Sequence, residues 1–262
     1  MKTINIDRIS KRKDYEELEG LLVTSMFRTI QGEGPFAGHP SVFLRLAGCN
    51  FGNKEDFCSF CDTKFHFDEG KLFRMEDLLK ELKSLPGYAP TDILVITGGE
   101  PTLQHRLLSF MYRAEMFFER VQIETNGTQA YFFNQFVPNF QISIVVSPKA
   151  SIKLKGYPKT SQTVLDKTDC LKFVVSADPL SPHHEVPQWA FDAVRASNRR
   201  IKLYVSPMAE YLKEYPGEVS SIWEDGLIDK EATARNYAYA AQYAMANHCL
   251  LSLQTHLFTA VP

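Results

Sequence analysis

The sequence predicts an α/β fold built on a mostly parallel sheet, either open or curled into part of a barrel. The first sign is a series of short runs rich in β-branched residues, most of them continuously apolar, as strands covered on both faces are. The second is the stretches of helical apolar spacing between several of these runs. The third is that polar, glycine-rich sequences follow the runs, and parallel α/β folds place ligands at the carboxyl ends of their strands.

In chain order, residues up to about position 22 form an N-terminal extension. Its basic cluster, Arg8, Lys11, Arg12 and Lys13, reads as a solvated face, and it has no apolar core of the secretory type. Strands are expected at Ser41–Ala47, Ile93–Thr97, Val121–Glu124, Ile142–Val146, Leu171–Ser176, Ile201–Val205 and Leu250–Leu253. Met75, Leu78, Leu79, Leu82 and Leu85 mark a helix closed by Pro86-Gly87. Further helical stripes are Leu103, Leu107, Leu108, Met111 and Ala114; Val186, Trp189, Ala190, Ala193 and Val194; and Tyr237, Ala240, Ala241, Ala244 and Met245. The stretch from Met208 to Lys230, with Pro216-Gly217 and Gly226, reads as a long loop or small cover. No composition shift marks a boundary, so one domain is expected over 1–262.

With 262 residues, 44% of them hydrophobic, the chain can bury a sizeable core. A formal net charge of -2 offers no general attraction for nucleic acid or membrane surfaces. No apolar run is long enough to span a bilayer. Five cysteines, three of them bunched, suggest reduced thiols in a cytoplasmic compartment rather than a disulfide framework. Cys170 and Cys249 each open an apolar run and read as small core residues.

The bunched cysteines carry the first chemical signal. Cys58 and Cys61 form a C-x-x-C and Cys49 precedes them in CNFGNKEDFCSFC. Three thiolates on one loop suit a soft metal or a cluster with one open corner. A structural zinc site is the plain alternative, but a fourth ligand is not evident; His66 is the nearest candidate. The second signal is TGGEP, Thr97 to Pro101, where Gly98 and Gly99 permit close backbone approach and Glu100 offers a carboxylate. The third is Arg45, a cation within an apolar strand that requires a partner when buried.

A three-cysteine loop after a first strand and GGEP after a second resemble the radical S-adenosylmethionine superfamily. Phe60 before the last cysteine fits, while the residues between Cys49 and Cys58 enlarge the usual C-x3-C-x2-C loop without removing a ligand. Within it, MFRTIQGEGPFAGHPSVFLRLAGCN, CDTK, ITGGEP, IETNGT, VSPK and LQTH, from Met26 almost to the end, resemble the 7-carboxy-7-deazaguanine synthase family. The resemblance implies an incomplete TIM-like barrel with covering helices. It implies a carbon–nitrogen lyase that contracts 6-carboxy-5,6,7,8-tetrahydropterin to 7-carboxy-7-deazaguanine and releases ammonia on the way to queuosine-type deazapurines. Its cofactors would be a [4Fe-4S] cluster, S-adenosylmethionine and Mg2+.

Residue by residue, the resemblance implies that Cys49, Cys58 and Cys61 ligate three irons and that Thr63 supports the magnesium ion. Phe60, Asp62, Gly98, Gly99, Glu100, Thr125, Asn126, Ser147 and Lys149 would meet S-adenosylmethionine, with Glu100 toward its amino group. Gln31, Gly32, Glu33, Gly34, Arg45, Thr97, Gln254, His256 and the Pro262 carboxylate would meet the pterin. Leu257 stands where the family often has a basic residue. Taken singly, Thr63 or Asp62 also suits a helix cap, and Arg45 and His256 suit internal bonding. A homodimer and an electron donor such as a flavodoxin would be partners. The alternatives are an activase of the same superfamily acting on a protein, and a non-catalytic zinc or iron–sulfur binding protein.

Overall fold

The computed structural model describes residues 3–5, 16, 18–51, 61, 69–150, 156–212 and 226–259. Its strands are β1 (Thr3–Asn5), β2 (Leu21–Ile30), β3 (Pro40–Leu46), β4 (Glu69–Phe73), β5 (Ile93–Gly98), β6 (Arg120–Thr125), β7 (Ile142–Val146), β8 (Cys170–Val175), β9 (Lys202–Pro207) and β10 (Leu250–Leu251). They form one sheet in the order β1-β4-β2-β3-β5-β6-β7-β8-β9-β10. From β3 onward every neighbouring pair is parallel, while β1, β4 and β2 join antiparallel at one side. The sheet does not close on itself; it is a partial TIM-like barrel.

The helices are α1 (Met75–Ser84), α2 (Leu107–Ala114), α3 (Ala130–Gln135), α4 (Gln162–Leu165), α5 (Gln188–Ala196), α6 (Lys230–Asn247) and α7 (His256–Thr259). α1 carries Glu76 and Asp77 in its first turn and Lys83 in its last, each complementing the helix dipole. It buries Leu78, Leu79 and Leu82, and Gly87 beyond its end takes φ 78°. α6 is capped by Asp229, whose side chain accepts from Ala232 N, and ends on His248 in the left-handed region.

Alternation along the strands sorts the sheet into two faces. Leu44, Leu46, Leu94, Ile96, Val121, Ile123, Ile144, Val146, Leu171 and Phe173 point outward and pack with Leu78, Phe110, Met111, Phe133 and Ala240 of the helices. Each fully buried large apolar side chain there contributes about 1.5–3 kcal/mol. The intervening residues face inward and are of another character. Phe27 and Phe43 stack at 5.4 Å, Arg45 lies over Phe27 at 5.2 Å, and Gln122 and Lys172 are buried polar groups.

Several expected elements differ in detail. Leu21 and Leu22 are wholly buried and open β2. The helix expected from Leu103 starts at Leu107, because Pro101–Leu103 form a separate 3-10 turn. The last strand is a two-residue edge in which Leu250 and Leu251 are exposed, since only β9 covers it. Cys170 is buried as expected, whereas Cys249 is half-buried. α6 buries Thr233, Asn236, Ala240 and Ala244 and leaves Met245 73% exposed. That face turns inward because Asn236 bonds the backbone at Ala177 N and Met208 O.

Candidate active site

The upper rim gathers where β3, β5, β6 and β7 end. Gly98 has φ 124°, and a Cβ there would lie 2.2 Å from the Leu46 carbonyl, so β3 itself demands glycine at this point. Gly99 N and Glu100 N then bond Leu46 O and Gly48 O, seating TGGEP beside the approach to Cys49. Gln104 anchors the following turn: its side chain accepts from Leu22 N and donates to Leu22 O and Ala47 O.

Glu100 is wholly buried and binds this rim together. Its Oε1 accepts from Thr102 N at 3.0 Å, from Thr125 Oγ1 at 2.6 Å and from the Thr102 hydroxyl. Its Oε2 accepts from Asn126 N at 2.7 Å. Burial pushes the carboxyl pKa up, and the four donors partly oppose that rise. Asn126 in turn bonds Asn50 and Thr128 through its side chain, and Asn50 Nδ2 donates to Thr128 Oγ1 at 2.8 Å. Next along, Ser147 N bonds Thr125 O and Lys149 Nζ donates to Ser147 Oγ at 3.2 Å.

The inner floor is built differently. β2 runs against β3, so Gln31 leaves at the end where β3 begins, opposite Cys49. The QGEG loop then crosses the inner side to the far strands. Gly34 N bonds Ser252 Oγ, and Thr255 N bonds Gly32 O. A Cβ on Gly32 would come within 3.0 Å of Thr255 Oγ1 and 3.3 Å of His256 Nδ1, so QGEG and QTH pack directly together. Gln31 Nε2 donates to Glu124 Oε1 at 3.2 Å, and Lys172 Nζ pairs with Glu33. Thr97 and Arg45 lie side by side in register on β5 and β3.

Most sequence-predicted residues therefore fall on two connected layers. The rim holds Cys49, Gly98, Gly99, Glu100, Thr125, Asn126, Ser147 and Lys149; the inner side holds Gln31, Gly32, Glu33, Arg45, Thr97 and His256, with Gln254 two residues before His256. Gly34 sits at the edge with φ 67° and open space around its Cα. Cys58, Phe60, Asp62, Thr63 and Pro262 lie outside the described residues.

The donor set fits a thiolate-held cluster. Cys49 Sγ accepts Phe51 N at 3.4 Å, the kind of N–H to sulfur bond that tunes cluster ligands. Cys170 and Cys249 do not fit, because burial pushes their thiols up to about 12 and about 11.

Sequence reasoning missed Lys172, Glu124, Gln122 and Tyr237. Gln122 Nε2 donates to Glu124 Oε1 at 2.9 Å, and Lys172 Nζ lies 3.9 Å from Glu124 Oε2. Burial and the Glu33 charge push the Tyr237 phenol up to about 12, and its buried oxygen has no hydrogen-bond partner among the described residues. A lysine inside the run CLKFVV was the one local signal available.

Residues 44–139 match the model of the radical SAM superfamily. The chain is 34% identical over 247 residues to the 7-carboxy-7-deazaguanine synthase of Rickettsia prowazekii, covering 92% of this chain and 88% of that one. It is 31% identical to the synthase of Rhodospirillum rubrum, covering 84% and 88%. The crystal structure of QueE from Escherichia coli superposes with a TM-score of 0.62 at 23% identity, over 94% of this chain and 99% of that one.

Proposed function

The chain belongs to the 7-carboxy-7-deazaguanine synthase family, and on that premise we propose that it converts 6-carboxy-5,6,7,8-tetrahydropterin to 7-carboxy-7-deazaguanine with release of ammonia. It is a radical S-adenosylmethionine enzyme of deazapurine biosynthesis, a lyase that uses a [4Fe-4S] cluster. The observation that carries the substrate reading is the meeting of QGEG, Glu124 and Lys172 on the inner floor, directly below a rim that reaches Cys49.

Cys49, Cys58 and Cys61 would hold the cluster, which with S-adenosylmethionine supplies a hydrogen-abstracting radical when bound. The Gly98–Gly99 backbone, Thr125, Asn126, Ser147 and Lys149 would line the cosubstrate, together with Phe60 and Asp62. Glu33 and Gln31 would take the donor-rich edge of the pterin, with Arg45 toward its carboxylate and Thr97, Gln254, His256 and the Pro262 carboxylate around it. Thr63 would contribute a hydroxyl to a magnesium ion whose other ligands are substrate oxygens and waters. The protein's task is to orient the ring and keep water out while it rearranges.

This reading also takes the chain as one domain, a homodimer, cytoplasmic, reduced by a flavodoxin-like donor. No helix among the described residues is long and apolar enough to cross a membrane. The test is anaerobic reconstitution with iron and sulfide, followed by incubation with S-adenosylmethionine, a chemical reductant and the carboxypterin. The deazapurine product and ammonia are expected without any partner protein. A cluster that forms, cleaves S-adenosylmethionine and leaves the pterin unchanged would overturn the substrate and favour an activase.

A further inference from the structure

We infer that Lys172 is a positioning residue for the substrate: its buried ammonium holds Glu33 and Glu124 together as one acceptor edge for a 2-amino-4-oxopyrimidine ring. The inference rests on the pterin reading above. Leu171, Phe173 and Val175 pack into the outer core, so Lys172 between them points inward. Only 7% of it is exposed, and an ammonium buried to that degree needs charged partners. Two of them, among the described residues, come from distant parts of the chain. Its Nζ bonds Glu33 Oε2 from the loop after β2 and lies 3.9 Å from Glu124 Oε2 on β6.

The remaining capacity of this group is for accepting hydrogen bonds. Glu124 Oε1 already takes the amides of Gln31 and Gln122, at 3.2 and 2.9 Å. Two carboxylates with one ammonium leave a net negative charge facing inward. A ring edge carrying an N–H and an amino group is the complement of such a carboxylate. Without the ammonium, two neighbouring carboxylates repel and the shared acceptor edge spreads apart. An apolar residue at position 172 would pack as well against the strand but would not hold that pair together.

The experiment compares wild type, Lys172→Met and Lys172→Arg as anaerobically reconstituted enzymes. It reads KM and kcat for 6-carboxy-5,6,7,8-tetrahydropterin, calorimetric affinity for S-adenosylmethionine and Tm. Lys172→Met is expected to raise the pterin KM by about ten- to a hundredfold with cosubstrate affinity unchanged. Lys172→Arg should recover much of the loss because the cation survives. A fall in Tm with an unchanged KM would overturn the inference and leave a structural ion pair. Should Lys172→Met fail to fold, Lys172→Gln, which keeps donors and removes the charge, gives the same readout. Wild type that does not turn over the pterin would remove the reading of function, and this inference with it. Wild-type turnover with an unaltered KM in the charge-removing variants would remove the inference alone.

Discussion

Replacing Glu100 by glutamine separates a brace from a ligand. The substitution keeps the shape of the side chain and removes its charge. The two backbone donors decide the outcome, because Thr102 N points at Oε1 and Asn126 N at Oε2. Hydroxyls can rotate to suit an amide, but backbone N–H groups cannot. Whichever way the glutamine amide turns, one N–H meets an NH2 group and is left unsatisfied, at a cost of about 1–3 kcal/mol. Glutamine also avoids burying a charge, which offsets part of that cost, so a net loss of about 1–2 kcal/mol is expected. In a domain of this size that lowers Tm by roughly 2–8 °C. Glu100→Ala orphans all four donors and opens a cavity, and should cost about 3–5 kcal/mol. The assay is thermal unfolding of the reconstituted protein under anaerobic conditions, with S-adenosylmethionine affinity measured by calorimetry on the same samples. If Glu100→Gln leaves Tm at the wild-type value and weakens cosubstrate binding by about ten- to a hundredfold, the carboxylate is spent on the ligand and the brace argument is wrong.

Other outcomes follow from the same structure. Alanine at Cys49, Cys58 or Cys61 should abolish the iron–sulfur absorbance, whereas Cys170→Ala and Cys249→Ala should keep it, as thiols pushed up to about 12 and about 11 make poor ligands. His183, bonded to the Tyr157 hydroxyl at 2.8 Å, has its pKa lowered to about 4, first by burial and then by Lys149. The native state then binds fewer protons than the unfolded chain between pH 4 and 6.5, so stability should rise with pH across that window, by about 2 kcal/mol after solvent screening. Tm measured across it should flatten in His183→Gln. Tyr237→Phe should raise Tm slightly by removing a buried hydroxyl without a partner; a lower Tm would mean that the hydroxyl is satisfied in solution.

The parallel half of the sheet was legible because its strands are covered on both faces. ILVIT of β5 and ISIVV of β7 read as strands from composition alone. The antiparallel side was not. β2 mixes Thr24, Ser25, Arg28 and Thr29 with apolar residues, and Arg28 is explained only by Asp92, 64 positions away, which binds it at 2.7 and 3.0 Å. Site motifs were legible as motifs while some roles were not. Gly98 was read as making room for a ligand, yet the neighbouring strand already requires it. Lys172 gave little local signal because its partners, Glu33 and Glu124, come from elsewhere in the chain and meet it only after the barrel curls.

The two buried carboxylate systems are neutralised by different means, and that bears on which ligand each layer suits. On the floor, Glu33 and Glu124 share one cation, which leaves one net negative charge in that group. On the rim, the donors to Glu100 among the described residues are neutral, the hydroxyls and N–H groups of Thr102, Thr125 and Asn126. Neutral donors stabilise a carboxylate without cancelling its charge. Two of them are backbone N–H groups that cannot accept a proton, which favours the ionised form against the upward push of burial. The net effect of burial is still upward, so this carboxyl acts first as an acceptor that braces the backbone behind the Gly98–Gly99 turn. The floor, whose acceptor oxygens keep a net negative charge beside a shared cation, suits a ring edge that donates hydrogen bonds.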